Sequence, residues 1–270
     1  MSALYAENKD LPTVQLKREL WARLLRSALG AQFEDSDELF IEHTLLVNTA
    51  GIIAHSVLGY DVRQIPPATL VLGQLFEQAG IHGVVESDFF GWVIEVEGGE
   101  EFVRTTARRL SRYDWASVEH DVLKVLYESV IAPETRKKQG EYYTPDWLAE
   151  KMVSDVLTDP LNQRALDPSC GSGTFLFHAV RPYLTAAETN GRSLAESLEA
   201  VSDHVAGIDL HPVAVALARV TYLLAIGRDR LTSDERGQIR GRADRREFWS
   251  DGADSAGRDG GQGLGVVRGW

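Results

Sequence analysis

One local design occurs twice in this chain: a short apolar strand, an acidic residue at its end, and then a long apolar helix. In "RALDPSCGSGTFLFHAV" (164–180) the strand ends at Asp167, before a glycine-containing loop and a helix. In "HVAGIDLHPVAVALARVTYLLAIG" (204–227) the strand ends near Asp209, and a helix starts at Pro212. Strand, helix, strand, helix is the opening of a doubly wound α/β sheet, which binds ligands at the carboxyl ends of its strands.

The loop "CGSG" after the first strand lets a ligand approach the backbone closely. It does not match a triphosphate-binding loop, since no Lys-Ser/Thr pair ends it, nor a nucleophile elbow, since Ser172 has glycines directly beside it. Cys170 would need a base to act as a nucleophile, and helical geometry directs the nearest histidine in the sequence, His178, elsewhere. A plain Gly-Ser turn stays open as an alternative.

Three sequence blocks, in this order, carry a family resemblance. "LDPSCGSGTFL" resembles the cofactor loop of the adenine-specific DNA methyltransferases (N-6 DNA methylases) of restriction–modification systems, usually written D-P-A-C-G-S-G. "GIDLHPVAVALARVTYLLA" resembles the family's next block, and "RKKQGEYYTPDWLAEKMV" resembles the block that precedes the loop in a type I or IIG-like subgroup. The resemblance covers residues 136–226. It implies an α/β fold in which a helical N-terminal domain precedes the first part of a Rossmann-like, S-adenosylmethionine-dependent methyltransferase sheet.

The resemblance also implies S-adenosyl-L-methionine as the cofactor. This molecule has a cationic sulfonium, an amino acid and a ribose diol but no phosphate, which agrees with a glycine loop that lacks a lysine. Asp167 and the loop backbone would hold the methionine end, and Asp209 would accept hydrogen bonds from the diol. Thr144 would contact the cofactor carboxylate, beside Tyr143. The implied cofactor-binding residues are Tyr143, Thr144, Asp167, Pro168, Cys170, Gly171, Ser172, Gly173, Thr174 and Asp209.

Simpler roles stay open for some of these residues. Thr144 precedes a proline and an aspartate and has the features of an N-cap, so capping alone could explain it. Asp209 could likewise act as the N-cap of the helix that follows it. For the basic run 136–138, a solvated hinge is favoured over contact with phosphate.

The spacing of apolar residues predicts helices through most of the first 130 residues. The segment "DELFIEHTLLVNTAGIIAHSVLG" (37–59) is apolar on most faces, which predicts a buried central helix. Apolar stripes are predicted for three other helices. They are Leu16, Leu20, Leu24 and Ala28, widened by Trp21, Leu25 and Leu29; Val118, Val122, Val125 and Leu126; and Leu148, Met152 and Val156.

These patterns divide the chain into three parts. Residues 1–130 are predicted to form a helical domain, and residues 131–226 a partial methyltransferase cofactor-binding domain. Residues 227–270 contain 10 of the 24 glycines and nine arginines but no lysine, and show no third strand. We therefore expect a disordered or aberrant tail there, for which a frameshift, a truncation and a natural end remain open.

The family's catalytic tetrapeptide is not found in this sequence, so no catalytic residue is assigned. The family binds a flipped adenine with an N/D/S-P-P-Y/F/W motif after the fourth strand. The one Pro-Pro pair here, in "IPPA" (65–68), lies upstream of the cofactor loop and lacks both the acceptor and the aromatic residue. We expect this chain alone to be inactive. A non-catalytic cofactor-binding or assembly subunit of a defence system, or an RNA or protein methyltransferase, is the alternative function.

Composition limits the partners. The net charge of −12 gives no basic footprint for nucleic acid, so DNA, the substrate that the resemblance implies, would bind through regions largely missing here. Other restriction–modification or defence subunits are further candidate partners. The single cysteine excludes an internal disulfide and fits the cytoplasm. The histidines lack zinc spacing, and no signal peptide or membrane span is evident, so we expect no metal and no membrane contact.

Overall fold

The computed structural model describes residues 1–79, 81, 83–85, 89–138 and 143–233, together with the backbone of residues 265–268. Short 3-10 turns occur at Gly30–Gln32 and Phe90–Glu95. The helices up to residue 130 are α1 (Ser2–Asn8), α2 (Pro12–Leu29), α3 (Asp37–Val57), α4 (Pro67–Leu72), α5 (Gln74–Gln78), α6 (Gly99–Leu110) and α7 (Val122–Val130). The elements that follow are α8 (Pro133–Lys138), α9 (Asp146–Val156), β1 (Ala165–Asp167), α10 (Thr174–Thr189), α11 (Leu194–His204), β2 (Val205–Asp209), α12 (Pro212–Ile226), α13 (Arg228–Thr232) and β3 (Gly265–Arg268).

Helix α3 is the buried central helix that its composition predicts. Ser36 caps its first turn by accepting a hydrogen bond from the Leu39 backbone N–H at 3.2 Å. Among its buried polar side chains, Asn48 donates to the carbonyl oxygens of Thr44, at 2.8 Å, and Phe90, at 3.1 Å. The helix can therefore be enclosed without leaving this amide unsatisfied.

The predicted apolar stripes of α2 and α7 are right only in part: Trp21 and Leu25 of the first are buried, and Val122 and Leu126 of the second pack against the core. In α2 the buried face contains Val14, Trp21 and Leu25, whereas Leu16 and Leu24 are exposed. The aromatic ring of Trp21, which packs edge-on to other core rings, outweighs the leucines and sets which face is buried.

Helix α7 starts at Val122, so Val118 precedes it, and Val125 is exposed. Its buried residues are Leu123, Lys124 and Tyr127, and the predicted Val122 and Leu126 are partly buried beside them. A lysine on the buried face could not be predicted from an apolar stripe, because its burial depends on partners from distant parts of the chain.

The strands form one small sheet in the order β1-β2-β3. Strands β1 and β2 are parallel, with Asp167 opposite Gly207, and α10 and α11 connect them. This is the predicted strand–helix–strand–helix arrangement, and both predicted strands end at the predicted acids. Among the described residues, no strand pairs with the outer edge of β1.

The tail departs from its prediction over a few residues. Helix α13 follows α12 directly, and β3 pairs antiparallel with β2, with Gly265 opposite Asp209. The sequence showed no third strand because four residues are too few for a recognisable alternation. Residues 234–264 and 269–270 lie outside the described residues, so disorder in most of the tail stays a prediction.

A single cluster of buried apolar residues contains side chains from both the helical part and the α/β part. Helix α3 packs against α12, and at this contact the rings of His43 and His211 lie edge to face, 5.2 Å apart. Burial lowers the pKa of both imidazoles, that of His211 to about 4. Within the part of the chain that the structure describes, no helix is long and apolar enough to cross a membrane.

Candidate functional site

The two acids that end β1 and β2 lie on either side of one loop. The backbone N–H of Gly171 donates to Asp209 Oδ2 at 2.8 Å, and the N–H of Cys170 donates to the Ile208 carbonyl at 3.0 Å. The loop is thus attached to the end of β2 by two hydrogen bonds. Pro168 and Ser169, which lead into it, are exposed.

Two glycines give the loop its shape. Gly171 has φ +52° and Gly173 has φ +96°, both in the left-handed region that favours glycine. A Cβ on Gly173 would lie 3.2 Å from the Ala218 Cα, so this glycine also allows α10 to approach α12 closely. The loop carries no positive side chain, and its backbone is what it can offer a ligand.

Asp209 accepts two backbone hydrogen bonds, one from Gly171 and one from the N–H of His211 at 2.8 Å. It is not the N-cap of α12, so that alternative is wrong. The cap is His211, whose Nδ1 accepts from the Ala214 N–H at 3.3 Å. Each Asp209 oxygen has a second lone pair, so the carboxylate can accept further donors from a ligand.

Asp167 has an acceptor that the rest of the described chain does not satisfy. Its Oδ1 accepts from the Ser169 N–H at 3.1 Å, whereas its Oδ2 is buried and has no hydrogen-bond partner among the described residues. Burial, and then the charge of Asp209, raise the pKa of Asp167. Because an unpaired buried acceptor is costly, this oxygen is suited to a cationic or hydrogen-donating group of a ligand.

Thr144 does not cap α9. The N-cap is Pro145, no side-chain capping bond forms, and the carbonyl of Thr144 instead accepts from Lys124 Nζ at 2.9 Å. Tyr143 packs on Tyr127, with ring centroids 5.4 Å apart, and its ring would lie 3.4 Å from a Cβ on Gly171. The segment before α9 and the loop are therefore neighbours, as the predicted site requires.

The hydroxyl groups of the loop are directed away from Asp167 and Asp209, toward a residue that the sequence did not indicate. Ser172 Oγ and Thr174 Oγ1 donate to Asp121 Oδ2 at 2.6 and 2.8 Å. Asp121 is fully buried and caps α7. The available sequence signal was an acid placed directly before an apolar helix.

Cys170 is a buried thiol that packs on the sheet. A Cβ on Gly207 would lie 2.8 Å from the Cys170 Cβ, so β2 needs a glycine there. Burial, with the nearby acids Asp209 and Asp167, raises the pKa of the thiol. His178 lies within hydrogen-bonding distance of Asp146, with Nε2 3.0 Å from Oδ1, which agrees with its predicted direction away from the loop. A raised thiol pKa is the opposite of what a nucleophile needs.

The basic run 136–138 lies at the end of α8. Arg136 pairs with Glu128 at 3.1 Å and Lys138 with Glu34 at 2.7 Å. These contacts with carboxylates favour a structural role over contact with phosphate.

Comparison with known proteins identifies the segment that contains this site. Residues 118–230 match the family described as N-6 DNA Methylase. The chain is 29% identical over 108 residues to Adenine-specific methyltransferase PglX of Streptomyces coelicolor, covering 37% of this chain and 9% of that protein. No solved structure is significantly similar to this chain.

Two archaeal relatives come from Methanocaldococcus jannaschii. Type I restriction enzyme MjaVII methylase subunit is 25% identical over 168 residues, which cover 61% of this chain and 27% of the relative. Type I restriction enzyme MjaVIII methylase subunit is 27% identical over 113 residues, covering 41% and 18%. The matched part is thus well under a third of each relative. The family resemblance of the three sequence blocks is confirmed: residues 118–230 match the N-6 DNA Methylase family, and the three relatives carry methyltransferase or methylase names.

Proposed function

We propose that this chain contributes the S-adenosyl-L-methionine-binding part of a methyltransferase that modifies the exocyclic amine of adenine in DNA, in a restriction–modification or phage-defence system. The observation that carries the proposal is the site itself. A lysine-free glycine loop lies between two strand-terminal acids, in a segment of the N-6 DNA Methylase family.

The chemistry of the donor set fits this cofactor. The unpaired buried oxygen of Asp167 suits the cationic end of the molecule, and the remaining lone pairs of Asp209 suit a ribose diol. At Gly171, which is partly exposed, no side chain stands between the backbone and a ligand, whereas Gly173 is buried against α12. When bound, the cofactor would supply an electrophilic methyl group on its sulfonium.

The proposed binding residues keep the set inferred from the sequence, with one refinement. Ser172 and Thr174 would act through their backbone, because their hydroxyls donate to Asp121. Cys170 would also act through its backbone, since its thiol packs on β2. We further propose that residues 131–226 form the first part of a Rossmann-like sheet, preceded by the helical domain 1–130 and followed by the tail 227–270.

The partners follow from charge and motif content. With a net charge of −12, the chain leaves most of the phosphate-binding surface to other residues or to partner subunits in the cytoplasm. The 270 residues also contain no N/D/S-P-P-aromatic tetrapeptide. This favours, as a second candidate function, a non-catalytic cofactor-binding or assembly subunit that works with another polypeptide.

Calorimetric titration of the 270-residue chain with the cofactor tests the binding proposal. Asp209→Ala should weaken binding by about 10- to 100-fold, because hydrogen bonds to a charged acceptor contribute roughly 1.5–3 kcal/mol. The exposed acid Asp155 provides the matched control, as Asp155→Ala.

An analogue that lacks the ribose hydroxyls separates contact with the diol from bracing of the loop. It should bind the unaltered chain more weakly than the cofactor does, yet bind Asp209→Ala nearly as well as the cofactor binds that variant. If the analogue lost the same affinity, relative to the cofactor, in the unaltered chain and in Asp209→Ala, Asp209 would not be the residue that binds the diol.

Incubation of the purified chain with methyl-labelled cofactor and mixed-sequence DNA tests the catalytic part. We expect no transfer above background, because no residue here is assigned to hold the adenine amine. Transfer in the absence of a second polypeptide would overturn that expectation.

A further inference from the structure

Asp121 is a buried carboxylate that interacts with three parts of the fold. Besides Ser172 and Thr174, its donors are the backbone N–H of Lys124 at 2.9 Å and Thr221 Oγ1 at 3.3 Å. Burial raises the pKa of Asp121, while the hydrogen bonds from Ser172, the Lys124 N–H and Thr174, and the charge of Lys124, oppose that shift. A buried carboxylate is tolerated only where several donors surround it, as they surround Asp121. A residue that merely filled space here would leave those donors without an acceptor.

The two hydroxyls that donate to Oδ2 flank the most constrained residue of the loop. Ser172 and Thr174 lie on either side of Gly173, with its φ of +96°. Fixing both neighbours limits the conformations of this glycine, and with them the directions of the loop's backbone N–H groups. A loop held in this way loses less entropy when a ligand binds to it.

The same turn of α7 also locates the second segment of the site. Lys124, three residues after Asp121, donates from Nζ to the Thr144 carbonyl, and Tyr127 packs on Tyr143. Tyr143 in turn lies against Gly171. Helix α7 and its N-cap therefore contact both the loop, through Asp121, and the segment 143–144, through Lys124 and Tyr127.

We propose that Asp121 is a positioning residue of the cofactor site, which holds the loop 170–174 in its ligand-binding conformation without touching the ligand. This rests on the function proposed above. It makes ligand affinity depend on a helix outside the strand–loop–helix unit that contacts the ligand.

A purely structural role predicts a different result, and two threonines allow the roles to be separated. Thr174→Val and Thr221→Val each delete one hydroxyl that donates to the same carboxylate, and both side chains are buried. Only Thr174 adjoins the loop, as the first residue of α10, whereas Thr221 lies within α12. If Asp121 merely braces the core, the two variants should behave alike. If it positions the loop, only Thr174→Val should loosen the loop.

Cys170 reports on the loop without any ligand, since it is the single cysteine of the chain and is buried. We expect 5,5′-dithiobis(2-nitrobenzoic acid) to modify it about tenfold faster in Asp121→Asn and Thr174→Val, as losing roughly 1.4 kcal/mol of local stability implies. Thr221→Val should stay near the unaltered rate. Local opening is recognised by a rate that depends little on added denaturant, whereas global unfolding depends on it strongly.

Calorimetry with S-adenosylmethionine completes the test. Asp121→Asn keeps an oxygen that can cap α7, and we expect it to bind about tenfold more weakly, with Thr221→Val within about threefold of the unaltered chain. Equal labelling rates in the two threonine variants would overturn the positioning role. Selective labelling with unchanged affinity would overturn its importance for the ligand. Selective labelling in a chain that binds no cofactor would support the positioning of the loop and overturn the proposed function instead.

Discussion

Two regions of the molecule carry similar apolar patterns but differ in burial. In the packed region, formed by α3, α10 and α12, nearly every residue of α12 is enclosed. In the open region, formed by α9 and β1, four large apolar residues remain exposed to solvent. Their exposed fractions are 68% for Trp147, 48% for Met152, 72% for Val156 and 61% for Leu166.

The difference shows that an apolar pattern in the sequence predicts which face of a helix can be buried. It does not predict whether another part of the chain packs on that face. The stripe predicted for α9 was Leu148, Met152 and Val156. All three residues lie in the helix, but Met152 and Val156 are exposed and Leu148 is only half-buried. Parallel sheets are normally covered on both faces, and a strand edge without a partner invites pairing with another chain. The open region is therefore where we expect additional polypeptide to contribute, as the proposed function also requires.

The largest predicted effect contrasts one residue from each region. Leu217→Ala, in α12, should lower the free energy of unfolding by about 2–5 kcal/mol, because it leaves a cavity in a closed core. Met152→Ala, in α9, should change it by no more than about 0.5 kcal/mol, since its side chain is half exposed. Urea denaturation measures both. Similar losses would show that the open region is packed in solution.

The second prediction concerns acid. The pKa of buried His211 is lowered to about 4, so between pH 6.5 and 4 the unfolded chain binds a proton that the native chain does not. Stability should therefore fall as pH drops through this window, by up to about 1.4 kcal/mol per pH unit for this residue. His211→Asn, which keeps a helix-capping side chain, should reduce the slope.

The exposed His120 provides the control for this measurement, as His120→Asn. Urea titrations at several pH values compare the two slopes. An unchanged slope in His211→Asn would mean that the packed region admits water around this histidine.

The smallest predicted effect lies where the loop meets the sheet. Cys170→Ala should lower the free energy of unfolding by about 1 kcal/mol, through lost packing against β2, and should leave most of the cofactor affinity intact. Calorimetry and urea denaturation measure the two quantities. A complete loss of binding in a folded protein would show that the thiol does more than pack.

Much of the site was predictable because it is local. The ends of β1 and β2, the start of α12 and the positions of the two acids follow from residues next to one another in the chain. Strand-forming residues before Asp167 and Asp209, and glycines at positive φ, act over a few residues. The prediction that His178 points away from Cys170 held for the same reason, since helical geometry alone decides it.

The contacts between segments that are distant in the chain were not predicted from the sequence, or were predicted wrongly. Asp121 accepts hydrogen bonds from residues 51, 53 and 100 positions away. The stripe of α7 missed the burial of Lys124, because this lysine finds its acceptor 20 residues later. Thr144 and Asp209 had the features of N-caps, but neither caps a helix. The carbonyl of Thr144 accepts from Lys124, and the carboxylate of Asp209 accepts from the Gly171 N–H. Local propensity and spacing thus determined the strands, helices and acids of this protein. Only the tertiary structure decided which polar groups satisfy one another, because burial removes water and leaves each donor to whichever acceptor the fold brings near.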